Sequence, residues 1–206
     1  MKQRMKLVLT VFGLGLSLIS SLAVGNVILE LSPSNQVAAN GDNISLNINI
    51  SGLSSNGAPS LGDFDFDLGF DSSRLSFTGY SLSSFLGDIS LFEAVDASLG
   101  GSFSSINLTE VSFLDPSALD SIQPDTFTLA TLFFQVNNLN SGESTTVSFL
   151  NINALGDGFG NPLSVDQANN ANIINSTNNS NVPEPASTVM VVFALLGFYF
   201  RNYAKS

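Results

Sequence analysis

Asp63, Asp65 and Asp67 alternate with Phe64, Phe66 and Leu68 in the stretch GDFDFDLGFDSSRLSF, Gly62 to Phe77. Three carboxylates two residues apart can hold a metal ion, meet a partner, or face water. A calcium loop of the helix-loop-helix type also opens Asp-x-Asp-x-Asp, but then needs glycine at its sixth place and glutamate at its twelfth. Counted from Asp63, those places hold Leu68 and Arg74, so the loop reading fails. In an extended strand Asp63 and Asp67 stand about 13 Å apart. Calcium takes oxygens at about 2.3–2.6 Å, so one ion reaches two of the three at most. A calcium site would need more oxygens, and Asp157 in the Gly156-Asp157-Gly158 turn is the candidate donor.

Repulsion between strand neighbours about 7 Å apart is only about 0.6 kcal/mol in water. The plain reading of Asp63, Asp65 and Asp67 is therefore a solvated sheet face that discourages edge-to-edge association. A face that contacts a partner and a calcium site are the other two readings.

Paired carboxylates are also the equipment of a glycosidase, the remote enzymatic alternative. With 17 acidic residues in 206, finding a pair decides little. Histidine and cysteine are absent. That removes the commonest general base, the thiol nucleophile and any cysteine-based zinc site. The chain contains no Gly-x-Ser-x-Gly motif and no glycine-rich phosphate loop. It reads as non-catalytic and without a cofactor, calcium being the one considered.

Charge is distributed unevenly. Lys2, Arg4, Lys6, Arg201 and Lys205 lie at the two ends, and Arg74 alone lies among the acidic residues, which run from Glu30 to Glu184. Such a body repels nucleic acid and anionic membrane. It attracts cations or a basic partner.

The elements that carry these residues read as strands. Ile44, Leu46, Ile48 and Ile50 alternate with polar residues, and so do Phe64, Phe66, Leu68 and Phe70. A period of two makes one face apolar and one polar. Further strands are predicted at 27–32, 74–80, 103–113, 127–136, 144–152 and 162–166, separated by Gly, Asn, Ser and Pro. Short helical turns are predicted within 81–101 and over Pro116–Ile122. The phenylalanines supply much of the core, and tryptophan is absent. Many half-buried strands between turns indicate an all-β sandwich over residues 26–166.

The ends differ in kind. Residues 1–23 read as a signal peptide: Lys2, Arg4 and Lys6, an apolar stretch, then Ser21 and Ala23 before the cleavage point. Residues 167–181 are rich in asparagine and read as an unfolded linker. Residues 182–206 hold Pro183-Glu184-Pro185, an apolar helix at 186–200, then Arg201 and Lys205. Fifteen residues of helix span about 22 Å, short of the hydrocarbon core of about 30 Å. The basic end stays cytoplasmic under the positive-inside rule, which places the acidic body outside.

This tail resembles the PEP-CTERM sorting signal of Gram-negative bacteria, with Pro183, Glu184, Pro185 and Arg201 in the family's order. The resemblance implies an exported protein held briefly in the inner membrane by its C-terminal helix. An exosortase-type enzyme then processes it for the cell envelope, the surface or the extracellular matrix. A second resemblance lies in the body. FDFDLGFDSSRLSF is similar to the cohesin segment in which an alternating strand leads to an aromatic-Asp pair, a turn, and a leucine that opens the next strand. Phe70, Asp71 and Leu75 occupy those places. Residues 128–165 resemble the cohesin ending. The fold implied is a nine-stranded jelly-roll β-sandwich related to carbohydrate-binding modules. The function implied is a non-catalytic module that holds a dockerin-like surface protein by one sheet face and its loops. An exopolysaccharide is the alternative partner, although Tyr80 is the domain's sole tyrosine.

Overall fold

The computed structural model describes residues 26–53 and 60–176. The signal peptide expected at 1–23, the expected sorting residues Pro183, Glu184, Pro185 and Arg201, and the apolar segment 186–200 lie outside them. No helix among the described residues is long and apolar enough to cross a membrane.

The alternating segments form strands wherever the period of two predicted them. In chain order these are β1 (Asn26–Ser32), β2 (Asn35–Val37), β3 (Asn43–Ser51), β4 (Leu61–Gly69), β5 (Leu75–Leu82) and β6 (Ala94–Asp96). They continue with β7 (Gly100–Ser102), β8 (Ser105–Ser112), β9 (Thr126–Val136), β10 (Ser144–Asp157), β11 (Ser164–Asn169) and β12 (Ala171–Ile174). One sheet has the order β11-β1-β3-β9-β5; the other runs β2-β12-β10-β4-β8-β6, with β7 also paired to β8. Most pairs are antiparallel; β1 with β11 and β2 with β12 are parallel. Two facing sheets whose chain crosses repeatedly between them make a jelly-roll sandwich.

The inward residues of both sheets form one core. Phe64 and Phe66 are fully buried and stack at 5.0 Å between ring centroids. Phe149 meets Phe66 edge-on, and Phe70 and Phe77 both meet Phe134 edge-on. Each buried phenylalanine stabilises the fold by about 1.5–3 kcal/mol through water exclusion alone. Burying Phe64, Phe66 and Leu68 compels Asp63, Asp65 and Asp67 to the outer face, because side chains alternate along a strand.

Helix α1 (Pro116–Ile122) secures the start of β4. Just past it, Gln123 accepts from the Leu61 backbone N–H at 2.7 Å and donates to the Leu61 and Phe85 carbonyls at 2.8 and 2.9 Å. Asp120 accepts from the Ser60 N–H. The expected turn within 81–101 is a single 3-10 turn at Ile89–Leu91, capped by Asp88.

The strand expected at 103–113 is β8, which opens two residues later, after a turn at Phe103 and Ser104 that joins it to β7. Two expectations need correction. The domain does not end at 166, and the linker does not begin at 167. β11 continues to Asn169 and β12 follows, with Ala171 and Ile173 buried beside Val147. Alternation of two apolar residues among asparagines is enough to fix a short strand once β10 offers its backbone on one side and β2 on the other. The nine strands implied by the resemblance are joined by short additional ones, of which β2 and β12 complete one edge of the second sheet.

Candidate binding face

β4 lies between β10 and β8, so its aspartates stand in the middle of the second sheet's outer face. All three are half-buried rather than freely solvated. Asn107 on β8 donates from Nδ2 to Asp65 Oδ1 at 2.8 Å and to Asp67 Oδ1 at 3.0 Å. From the other side Asn153 on β10 donates to Asp65 Oδ1 at 3.3 Å and Asp67 Oδ2 at 3.0 Å, and Asn151 reaches Asp67 Oδ2 at 3.5 Å. Asn107 is itself oriented, because its Oδ1 accepts from the Thr109 hydroxyl and the Leu99 N–H. Donation by Asn153 and Asn107 holds the Asp67 carboxyl below its ordinary range. Asp65 and Asp67 thus form a fixed anionic centre carried by neutral amides.

Asp63 belongs to a different arrangement. It faces the end of β10, where its cross-strand partner Gly156 allows close approach: a Cβ there would lie 2.3 Å from Asp63 Oδ2. Burial, and then the charge of Asp157, push the Asp63 carboxyl above its ordinary value. Asp157 is 6% exposed. Burial pushes it up, but donation by the Asn161 side chain and by the backbone of Asn161, Phe159 and Gly160 outweighs that and holds it down. Its Oδ1 accepts from the Phe159 and Asn161 N–H groups, both at 2.8 Å. Asp157 therefore organises its own turn. Among the described residues no group of three or more acidic side chains is placed to hold a metal ion.

The strand-turn residues lie where β4 passes into β5. Phe70 is in the core, and Leu75 is fully buried at the start of β5. Asp71 accepts from the Ser73 N–H and hydroxyl at 2.9 and 2.6 Å, and its carbonyl accepts from the Arg74 and Leu75 N–H groups. Arg74 pairs with Glu143 and donates to the Asn138 carbonyl at 2.9 Å, so it joins two turns of the fold. No other basic residue is described, and the acidic face has no internal counter-ion.

Beside Asp67 the face is grooved. A cavity of about 300 Å³ is lined by Asp67, Asn107 and Asn151 and by the exposed side chains of Leu99 and Leu150. An anionic floor with apolar walls suits a partner that offers a cationic or amide group beside an aliphatic one. Asn107, Asn151, Asn153, Leu99 and Leu150 escaped the sequence reading, because only strand pairing brings residues so distant in the chain together. Asn107 had a weak signal as an outward position of an alternating strand.

The second sheet also holds an inward carboxyl that the sequence reading passed over. Glu110 follows Ile106 and Leu108 on the core face of β8, between Phe64 of β4 and Asp96 of β6. It is fully buried, and neither carboxyl oxygen has a hydrogen-bond partner. Burial, with a smaller contribution from Asp96, pushes it up to about 8. It is therefore mostly protonated at neutral pH.

The two sheets define a jelly-roll sandwich whose second sheet carries an ordered polar outer face. The sequence profile of the cohesin domain matches residues 29–181, and the chain belongs to the cohesin-domain family, a family of non-catalytic protein-binding modules. Solved cohesins share the fold. The sixth cohesin of scaffoldin B from Acetivibrio cellulolyticus, solved with a Cel5 dockerin, is 17% identical with a TM-score of 0.58, covering 73% of this chain and 99% of its own. A cohesin–dockerin complex from Clostridium thermocellum gives 13% identity and a TM-score of 0.57 over 73% and 99% of the two chains. A cohesin from Clostridium acetobutylicum, solved in solution, gives 18% and 0.54 over 75% and 94%. No curated protein sequence matches the chain significantly.

Proposed function

We propose that this chain is an exported, non-catalytic module that captures a dockerin-like protein through the outer face of β10, β4 and β8. The observation that carries the reading is the Asp65–Asp67 centre held by Asn107 and Asn153 and walled by Leu99 and Leu150. Similar cohesins were solved with dockerins bound, which supports a protein partner of that class. The acidic character supports one with a basic or amide-rich surface. The signal peptide and the sorting tail complete the proposal: export, a brief stay in the inner membrane, and processing by an exosortase for the cell surface or matrix. The reading needs no metal: Asp65 and Asp67 already accept amide hydrogens, and Asp157 is engaged by its own turn.

The experiment is capture with residues 26–176 from the secreted and envelope fractions of the source organism, followed by mass spectrometry. The proposal expects a protein carrying a dockerin-like module, released by high salt. Recovery of no protein, with binding to the organism's own exopolysaccharide instead, overturns it.

A further inference from the structure

The opposite face of the sandwich has another chemistry. β3, β9 and β5 are adjacent in the first sheet, and none of their residues is charged. In a chain of formal net charge −11 this is a neutral island. Its outward positions are hydroxyls and amides: Ser45, Asn47 and Asn49 on β3, Thr128, Thr131 and Gln135 on β9, and Ser76, Thr78 and Ser81 on β5. Thr131 donates to Asn47 Oδ1 at 2.9 Å and Thr128 to Asn49 Oδ1 at 2.8 Å. These bonds between β3 and β9 fix the amides in a row.

One aromatic ring stands in this field. Phe133 is 40% exposed on the outer side of β9, while Leu132 and Phe134 on either side of it are fully buried. Its partners across the sheet are Ser45 on β3 and Gly79 on β5. Both are small, and the Cβ position at Gly79 has nothing within 4 Å. The flank toward Gly79 is therefore open. The core is already served by Phe134, so Phe133 adds nothing to it, and a leucine or threonine would serve a solvated strand position as well.

We propose that this face is a second binding site, for a neutral polysaccharide. A pyranose ring offers an apolar C–H face that rests on the π face of Phe133, and rim hydroxyls that bond to the amides and hydroxyls around it. The absence of charge on the three strands decides the class of glycan. An anionic polymer would leave its carboxylates without a cation here and would meet the acidic body of the molecule. The glycan site and the dockerin-type site lie on opposite sheets, so the chain can hold both ligands at once and link a protein to a matrix.

Native affinity electrophoresis tests this, since the acidic chain migrates readily. The full chain, purified in mild detergent, is run in gels containing hydroxyethylcellulose, laminarin or galactomannan, with alginate as the anionic control. Retardation by at least one neutral glycan and none by alginate is expected. Phe133→Ala should weaken it about tenfold or more. Ser45→Arg should do the same by laying a guanidinium over the ring. Phe133→Tyr and the double change Asp65→Asn with Asp67→Asn should retain it. Circular dichroism confirms that each variant is folded. Lack of retardation by all three neutral glycans, equal retardation of the Phe133→Ala and Ser45→Arg variants, or preference for alginate overturns the site. Protein capture by the acidic face is read separately and stands or falls on its own.

Discussion

Glu110 has a carboxyl that the core keeps uncharged. Its folded value of about 8 lies above the ordinary 4.5 because burial disfavours the charged form. The unfolded chain releases this proton near pH 4.5, whereas the folded chain keeps it until near pH 8. The folded state therefore binds more protons between those values, and stability falls as pH rises. The full stability is present below pH 4.5 and is lost through pH 8, by up to about 5 kcal/mol. Thermal melts between pH 5 and 9 should show a falling midpoint for the native chain and a flatter profile for Glu110→Gln. Parallel profiles would contradict the assignment. Asp67 on the outer face behaves differently, because donation by Asn153 and Asn107 holds its carboxyl below the ordinary range. Melts with calcium and with a chelator are expected to coincide, and a calcium-dependent rise would restore the metal reading. Glu110 was visible as a charged residue at an inward position of an alternating strand. The asparagines around Asp65 and Asp67 were not, since a pattern along one strand says nothing about its neighbours.

Strands announced themselves where burial on one face imposes a period of two, as in β3, β4 and β9. Short strands did not. β6 and β7 have three residues each, too few to show a period, and they exist because β8 offers backbone groups on its free edge. β12 was hidden because Asn172 and the asparagines around it look like a linker, while Ala171 and Ile173 pack into the core. A chain ending at 166 should therefore be less stable than one ending at 176 by at least about 2 kcal/mol, from the lost burial of Ile173 and the lost pairing with β10. Urea unfolding of the two pieces measures this. Equal midpoints would mean that β12 contributes nothing and that the linker does begin at 167.

The whole molecule combines an acidic face, a neutral face and two ends of another character. Its charge asymmetry was plain in the sequence. The location of each face was not, because it depends on which strand lies beside which. At this scale the proposed sorting role of the tail has its own test: replacing Pro183, Glu184 and Pro185 with alanine should leave a form that still carries residues 186–206. Mass spectrometry showing identical C termini in variant and parent would contradict processing at that site. The central claim is that the β10, β4 and β8 face holds the protein partner, and isothermal titration with the captured partner tests it most directly. Leu99→Asp combined with Leu150→Asp places charge on both walls of the groove and leaves the core untouched. The account predicts affinity reduced about tenfold or more in this variant, unchanged affinity in Phe133→Ala, and folded protein in both. Unchanged affinity in the groove variant, with loss in Phe133→Ala, would move the partner to the other sheet and contradict the account.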